Sequence, residues 1–174
     1  MNQLMDRDEI YRRLNLLNDN LKEKGIKGEL TIYGGAVMCL FFNSRRATKD
    51  IDGWFAPKSD ISEAIKEVTK ENNFDEDWLN DAVKGFISKN DDVKLEIEFS
   101  NLKIYRPKDE YLFAMKCMSC RIGFGENDER DIKFLIEKMG ITSTEEAEEI
   151  IQDYFPPSLI LPKTHFMLLE FIGK

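Results

Sequence analysis

Residues 29–55 read ELTIYGGAVMCLFFNSRRATKDIDGWF, and the order of segments within this stretch decides the fold. Residues 29–33 are a short β-rich run that meets Gly34 and Gly35 and passes straight into the compact apolar segment AVMCLFF. A strand that reaches two glycines and turns directly into a helix is the expected reading. Residues 49–55, KDIDGWF, alternate charge with bulk and predict a second strand. Ile51 then faces the core, and Asp50 and Asp52 share the opposite face.

Upstream, residues 6–24 carry Ile10, Leu14, Leu17 and Leu21 at helical spacing, with Gly25 ending the helix. Downstream, Asp60 is expected to N-cap a helix bearing Ile61, Ile65 and Val68, and a second helical piece is expected over 77–87. SKNDD then makes a turn. Residues 93–99, VKLEIEF, alternate again, with Leu95, Ile97 and Phe99 on one side and Glu96 and Glu98 on the other. LKIYR follows as the second arm of a hairpin closed by Pro107. From 108 onward the chain reads as helices, in DEYLFAMKCMSCR, ERDIKFLIEKMG, STEEAEEIIQDYF and KTHFMLLEFI. The pattern predicts an α+β protein with a small mixed sheet, helices on one face and an acidic cleft on the other. A single domain is expected over 1–174, with a core at 1–106 and a C-terminal helical part at 107–174.

At 174 residues the chain is long enough to bury one sizeable core. Its 25 Lys+Arg against 33 Asp+Glu give a net charge of −8, so binding to nucleic acid would need a local basic patch. No apolar run approaches the ~18 residues that span a bilayer, and the charged N-terminus is unlike a signal peptide. A cytoplasmic protein without membrane contact is the expectation. The three cysteines, Cys39, Cys117 and Cys120, fit a reducing compartment, and the CMSC pair lies in a helical run where thiols are structural.

One constellation carries chemistry: Gly34-Gly35, then Asp50 and Asp52 on a strand, then Glu96 and Glu98 on a later one. Two carboxylates at i and i+2 project from one face, and a third on a neighbouring strand can complete a site for Mg²⁺ (or Mn²⁺), a hard cation that prefers oxygen ligands. Glycines let a backbone approach a triphosphate closely. These parts support metal-assisted phosphoryl or nucleotidyl transfer. The plain alternatives are a solvated acidic strand face and an ordinary turn.

The run YGGAVMCLFFNSRRATKDIDGWF resembles the signature of the nucleotidyltransferase superfamily with a polymerase-β-like fold. More narrowly it is similar to the bacterial branch that includes AbiEii-type toxins and DUF6036 proteins. There an R-x-T-x-D-I-D segment is typical, matched by Arg46, Thr48, Asp50 and Asp52, and a later A-M-K…R…D-x-x-D-I segment is matched by Ala114, Met115, Lys116, Arg121, Asp128, Asp131 and Ile132. The resemblance runs over about 29–155.

The resemblance implies that Gly34, Gly35, Arg46 and Thr48 bind nucleotide, with Thr48 contacting phosphate or bracing its loop. It implies that Asp50, Asp52 and, as third carboxylate, Glu96 hold Mg²⁺, with Glu98 in reserve. It implies that Lys116 contacts the triphosphate of an NTP or positions a reacting group, and that Asp131 acts as a base or supports Lys116 if the next helix packs back antiparallel. The implied activity moves a nucleoside monophosphate from an NTP to an acceptor, a tRNA 3′ end or a protein side chain. A toxin role would add a cognate antitoxin as partner. A non-catalytic nucleotide-binding or partner-binding module with the same fold is the alternative.

Each residue also has a simpler reading. Lys116 can snorkel from an apolar helix face, and Asp131 can be a first-turn charge favoured by the helix dipole. Arg45, Arg46 and Lys49 can merely offset the two aspartates. His165 is expected to be a helix residue rather than a ligand, and Trp54 is expected in the core rather than stacked on a base.

Overall fold

The computed structural model describes residues 3–120 and 125–173; Arg121 of the later motif lies outside them. The chain divides into two compact units, one built from Met1–Gly85 with Val93–Arg106 and the other from Phe86–Asp92 with Pro107–Lys174.

The first unit opens with α1 (Arg7–Glu23), capped by Asp6, whose side chain accepts the Glu9 backbone N–H at 2.9 Å. Ile10, Leu14, Leu17 and Leu21 are buried on one side of it, as the spacing predicts. The expected strand, glycine turn, helix and strand follow as β1 (Gly28–Tyr33), α2 (Gly35–Leu40) and β2 (Ile51–Ala56). The next helix, α3 (Lys58–Asn72), starts after Pro57, so Asp60 sits in its first turn and is not its cap. Proline at that position has no side-chain acceptor, and the acid there instead favours the helix dipole.

The helical piece expected over 77–87 does not form as such. Its place is taken by a two-residue strand, β3 (Leu79–Asn80), and a 3₁₀ turn, Ala82–Phe86. Two long-range contacts override the local pattern. Ile51 N–H donates to the Trp78 carbonyl at 2.7 Å, and Trp78 is wholly buried with its indole N–H donating to Thr69 Oγ1 at 2.9 Å. Arg13 on α1, 1% exposed, lies over the Phe74 ring at 3.9 Å and pairs with Glu9 at 2.7 Å.

The last two strands are β4 (Val93–Glu98) and β5 (Leu102–Pro107), and they lie side by side as expected of a hairpin. The sheet runs β3-β2-β1-β5-β4. It is mixed: β1 pairs antiparallel with β2 and parallel with β5, and β2 pairs parallel with β3.

The register sorts the side chains. Leu30, Ile32, Ile51, Phe55 and Ile104 share one face and are buried there. At the edge of that face Gly28 admits Ile61 of α3 and Leu21 of α1, whose methyls lie 2.8 and 3.3 Å from where a Cβ would stand. The other face carries Asp52 opposite Tyr33, then Trp54 opposite Thr31 and Thr31 opposite Tyr105, then Glu29 opposite Lys103. It is a face of mixed charge rather than the acidic cleft expected.

The second unit holds α4 (Asp109–Ser119), α5 (Glu126–Met139), α6 (Thr144–Gln152) and α7 (Pro162–Ile172), the four helices expected from the sequence. Ion pairs of Asp109 with Lys138 and of Lys116 with Asp131 show that α4 and α5 run antiparallel. Segment 86–92 joins this unit through Ser88, whose N–H donates to the Tyr111 hydroxyl at 2.8 Å, while Tyr111 stacks on Tyr154 with ring centroids 4.9 Å apart. Among the described residues no helix is long and apolar enough to cross a membrane.

Candidate functional site

The first unit builds its site at the end of β1. Gly34 has φ 65°, a left-handed conformation that favours glycine, and a Cβ there would stand 3.4 Å from the Asp52 carboxylate. A Cβ on Gly35 would stand only 2.2 Å from Nη1 of Arg45. The two glycines therefore leave a backbone cradle, with an aspartate carboxylate against one and a guanidinium against the other.

The loop that delivers these groups is fixed from two sides. Thr48 exchanges both backbone hydrogen bonds with Met5, at 2.8 and 2.9 Å, and its hydroxyl donates to the Asp50 carbonyl at 3.2 Å. Thr48 is 7% exposed, so bracing the loop is what its geometry does. Arg46 is exposed; it is Arg45, not Arg46, that reaches the glycines. Nothing in the order of residues separates the two arginines, because the choice depends on the path of the loop.

Asp52 lies on β2 on the side that the alternation predicts, and Asp50 just precedes the strand; both are half-buried. Burial pushes the Asp50 carboxyl above its usual range, and the nearby charge of Asp77 pushes it further, against Lys49 and Arg45. Asp77 is a residue that the sequence reading passed over. It is brought to Asp50 by the unexpected β3. Asp52 stands beside the side-chain-free cradle, with Asp50 two residues before it, and these residue types suit a Mg²⁺ ion, which takes one or two protein carboxylates and fills its remaining positions with phosphates and water.

Glu96 does not join this pair. It stands on β4, three strand spacings from β2, or roughly 14 Å at ~4.8 Å each. Oxygens around one Mg²⁺ lie within about 4 Å of each other. Glu96 instead accepts from Arg106 Nε at 2.8 Å and pairs with Lys94 at 3.1 Å. Burial works to raise its carboxyl, and the hydrogen bonds from Arg106 and Lys94 outweigh it, so the group lies below its usual range. Glu98 pairs with Lys103 at 3.4 Å on the same edge and is no nearer. Among the described residues no group of three or more His, Cys, Asp or Glu side chains is placed to hold a metal ion.

This corrects the third-carboxylate assignment and changes what a substitution there does. A depressed carboxyl contributes stability above its unfolded value and loses it as pH falls through the folded one. Glu96→Gln should therefore lower the unfolding free energy at pH 7 by up to about 1 kcal/mol for this partly exposed pair. The deficit should shrink as pH falls below the usual glutamate value of about 4.3 and vanish once the folded carboxyl is protonated. Turnover per folded molecule should be unchanged, as paired melting and activity curves will show.

The second unit places Lys116 differently from a snorkelling side chain. Its ammonium lies 2.7 Å from Asp131 and 3.4 Å from Asp128, and the Lys116 and Asp131 side chains are only 7% and 4% exposed. Asp131 is thus paired with Lys116. Cys117 and Cys120 are buried, with thiols pushed up by burial, which agrees with the structural reading. His165 lies on α7 and pairs with Glu148 at 2.6 Å. Trp54 is not in the core: it is 45% exposed on the face of Asp52.

Comparison with curated proteins and with solved structures gave no match. A family model described as a nucleotidyltransferase of unknown function, DUF6036, matches residues 4–153, which takes in both the glycine cradle and the Lys116 ion pair. The α+β fold with its small mixed sheet and the ordered motifs agree with that match, and the chain belongs to the DUF6036 family of nucleotidyltransferases.

Proposed function

We propose that this chain moves a nucleoside monophosphate from an NTP to an acceptor, with Mg²⁺ or Mn²⁺ held by Asp50 and Asp52. The observation that carries the reading is the convergence of Asp52 and Arg45 on the bare backbone of Gly34 and Gly35. In this reading the cradle receives the triphosphate, and Arg45 supplies a planar cation for phosphate oxygens. The ion would neutralise charge that develops on the phosphates during in-line displacement. The acceptor oxygen attacks the α-phosphorus as its proton leaves, the bond to the β-phosphate oxygen breaks, and pyrophosphate departs. Lys116, paired with Asp131, is the second unit's candidate for contacting a triphosphate or positioning a reacting group. A tRNA 3′ end or a protein side chain is the acceptor class, and a toxin role with a cognate antitoxin is the biological setting we propose.

A second reading has its own observation. Glu96 is neutralised by Arg106 and Lys94 at the sheet edge, which leaves two carboxylates where transfer commonly uses three. A module that binds NTP without turnover follows if two do not suffice. Incubation with each NTP labelled at the α-phosphate, Mg²⁺ or Mn²⁺, and total tRNA or protein extract tests both. Labelled acceptor is the expected result. NTP binding with no label transferred to any acceptor would replace the first reading with the second.

A further inference from the structure

We infer that Trp54 is the stacking platform for the base of the bound NTP, which names the nucleoside end of the site proposed above and rests on that proposal. β2 alternates, so Asp52 and Trp54 lie on one face, and Trp54 is 45% exposed there. Two residues of strand set it ~6.6 Å from Asp52, away from the glycine cradle. That displacement suits a ribose between phosphates at Asp52 and a base at Trp54.

The neighbouring strands shape the place. Thr31 of β1 is opposite both Trp54 and Tyr105, so the two aromatic residues stand on either side of a small one, with backbones about 10 Å apart. A base stacked between two rings needs two van der Waals spacings of roughly 3.5–4.0 Å, about 7–8 Å, which is within the spacing of the two backbones. The Tyr105 hydroxyl donates to Glu29 of β1 at 3.5 Å, so this side chain reaches towards the strand that carries Thr31. An exposed indole on a solvent-facing strand contributes little to the fold, whereas a base stacked on an aromatic ring is a favourable and sequence-tolerant contact.

The chain has a convenient reporter, because its other tryptophan, Trp78, is wholly buried. Titrating each NTP with Mg²⁺ should quench the exposed indole, and inorganic tripolyphosphate should not. By calorimetry Trp54→Ala should bind NTP about 5- to 100-fold more weakly while binding tripolyphosphate as the wild type does. Trp54→Phe should bind NTP close to wild type, since the ring is kept. Equal losses for NTP and tripolyphosphate, or unchanged NTP affinity in Trp54→Ala, would overturn the inference and leave the proposed site standing. Quenching by a short RNA oligonucleotide but not by NTP would overturn it too, by assigning the indole to the acceptor. Failure of the wild type to bind any NTP would overturn both.

Discussion

Asp50→Ala and Asp52→Ala are each expected to reduce nucleotidyl transfer by about a thousandfold or more. A lost metal ligand leaves charge at the phosphates uncompensated, at a cost of roughly several kcal/mol in the transition state, and each ~1.4 kcal/mol is tenfold in rate. Neither variant should unfold the protein. Half-exposed carboxylates change stability by only about ±0.5 kcal/mol when removed. For Asp50 the sign can be worked out. A carboxyl raised by burial and by Asp77 contributes stability below its unfolded value and loses it as pH rises through the folded one. Its ionised form opposes folding at neutral pH, so removing it there should not lower the melting midpoint. Transfer rates and melting midpoints on the same preparations check this, and near-wild-type transfer in both variants would remove the metal site.

Lys116→Ala is expected to have the largest effect on stability. It strands Asp131, whose side chain is 4% exposed, as an uncompensated buried charge. Breaking such a pair costs about 3–5 kcal/mol. For a chain of this size each kcal/mol shifts the midpoint by roughly 2–4 °C, so a fall of about 6–20 °C should be seen. Replacing both partners, with Lys116→Met and Asp131→Leu, should restore most of the loss, because a well-packed apolar pair avoids the desolvation penalty. NTP turnover of the paired variant then separates structure from chemistry. Restored stability with turnover still lost assigns Lys116 to the triphosphate; restoration of both makes it a structural ion pair. Lys116→Arg should rescue little, since a planar fork does not fit where a compact ammonium sits.

The sequence was most legible where contacts are local. The alternation in 49–55 put Ile51 in the core and Asp52 on the opposite face, the spacing in 6–24 gave α1 its buried side, and four apolar stripes gave the four C-terminal helices. It was least legible where distant segments meet. The two-residue β3 exists because β2 accepts it as a parallel neighbour, and nothing in 77–87 announces that pairing. Glu96 shows the same gap: its alternation within β4 was readable, but β5 and β1 standing between it and Asp52 was not. Arg45 reaches Gly35 through the path of a loop that Thr48 and Met5 fix, which the neighbouring arginines do not reveal. Trp54 is a different case, because the signal was present. It shares the parity of Asp50 and Asp52, and the alternation that points them outward also points the indole outward, whatever its hydrophobicity suggests.

The central claim is that the glycine cradle, Asp50 and Asp52 support transfer of the nucleotidyl group rather than of a terminal phosphate. The most direct measurement runs one reaction in parallel with NTP labelled at the α-phosphate and at the γ-phosphate, with Mg²⁺ and the acceptor extract, and follows the label. Nucleotidyl transfer predicts acceptor labelled from the α-position, and γ-label released only as pyrophosphate. Acceptor labelled from the γ-position, with none from the α-position, would contradict it.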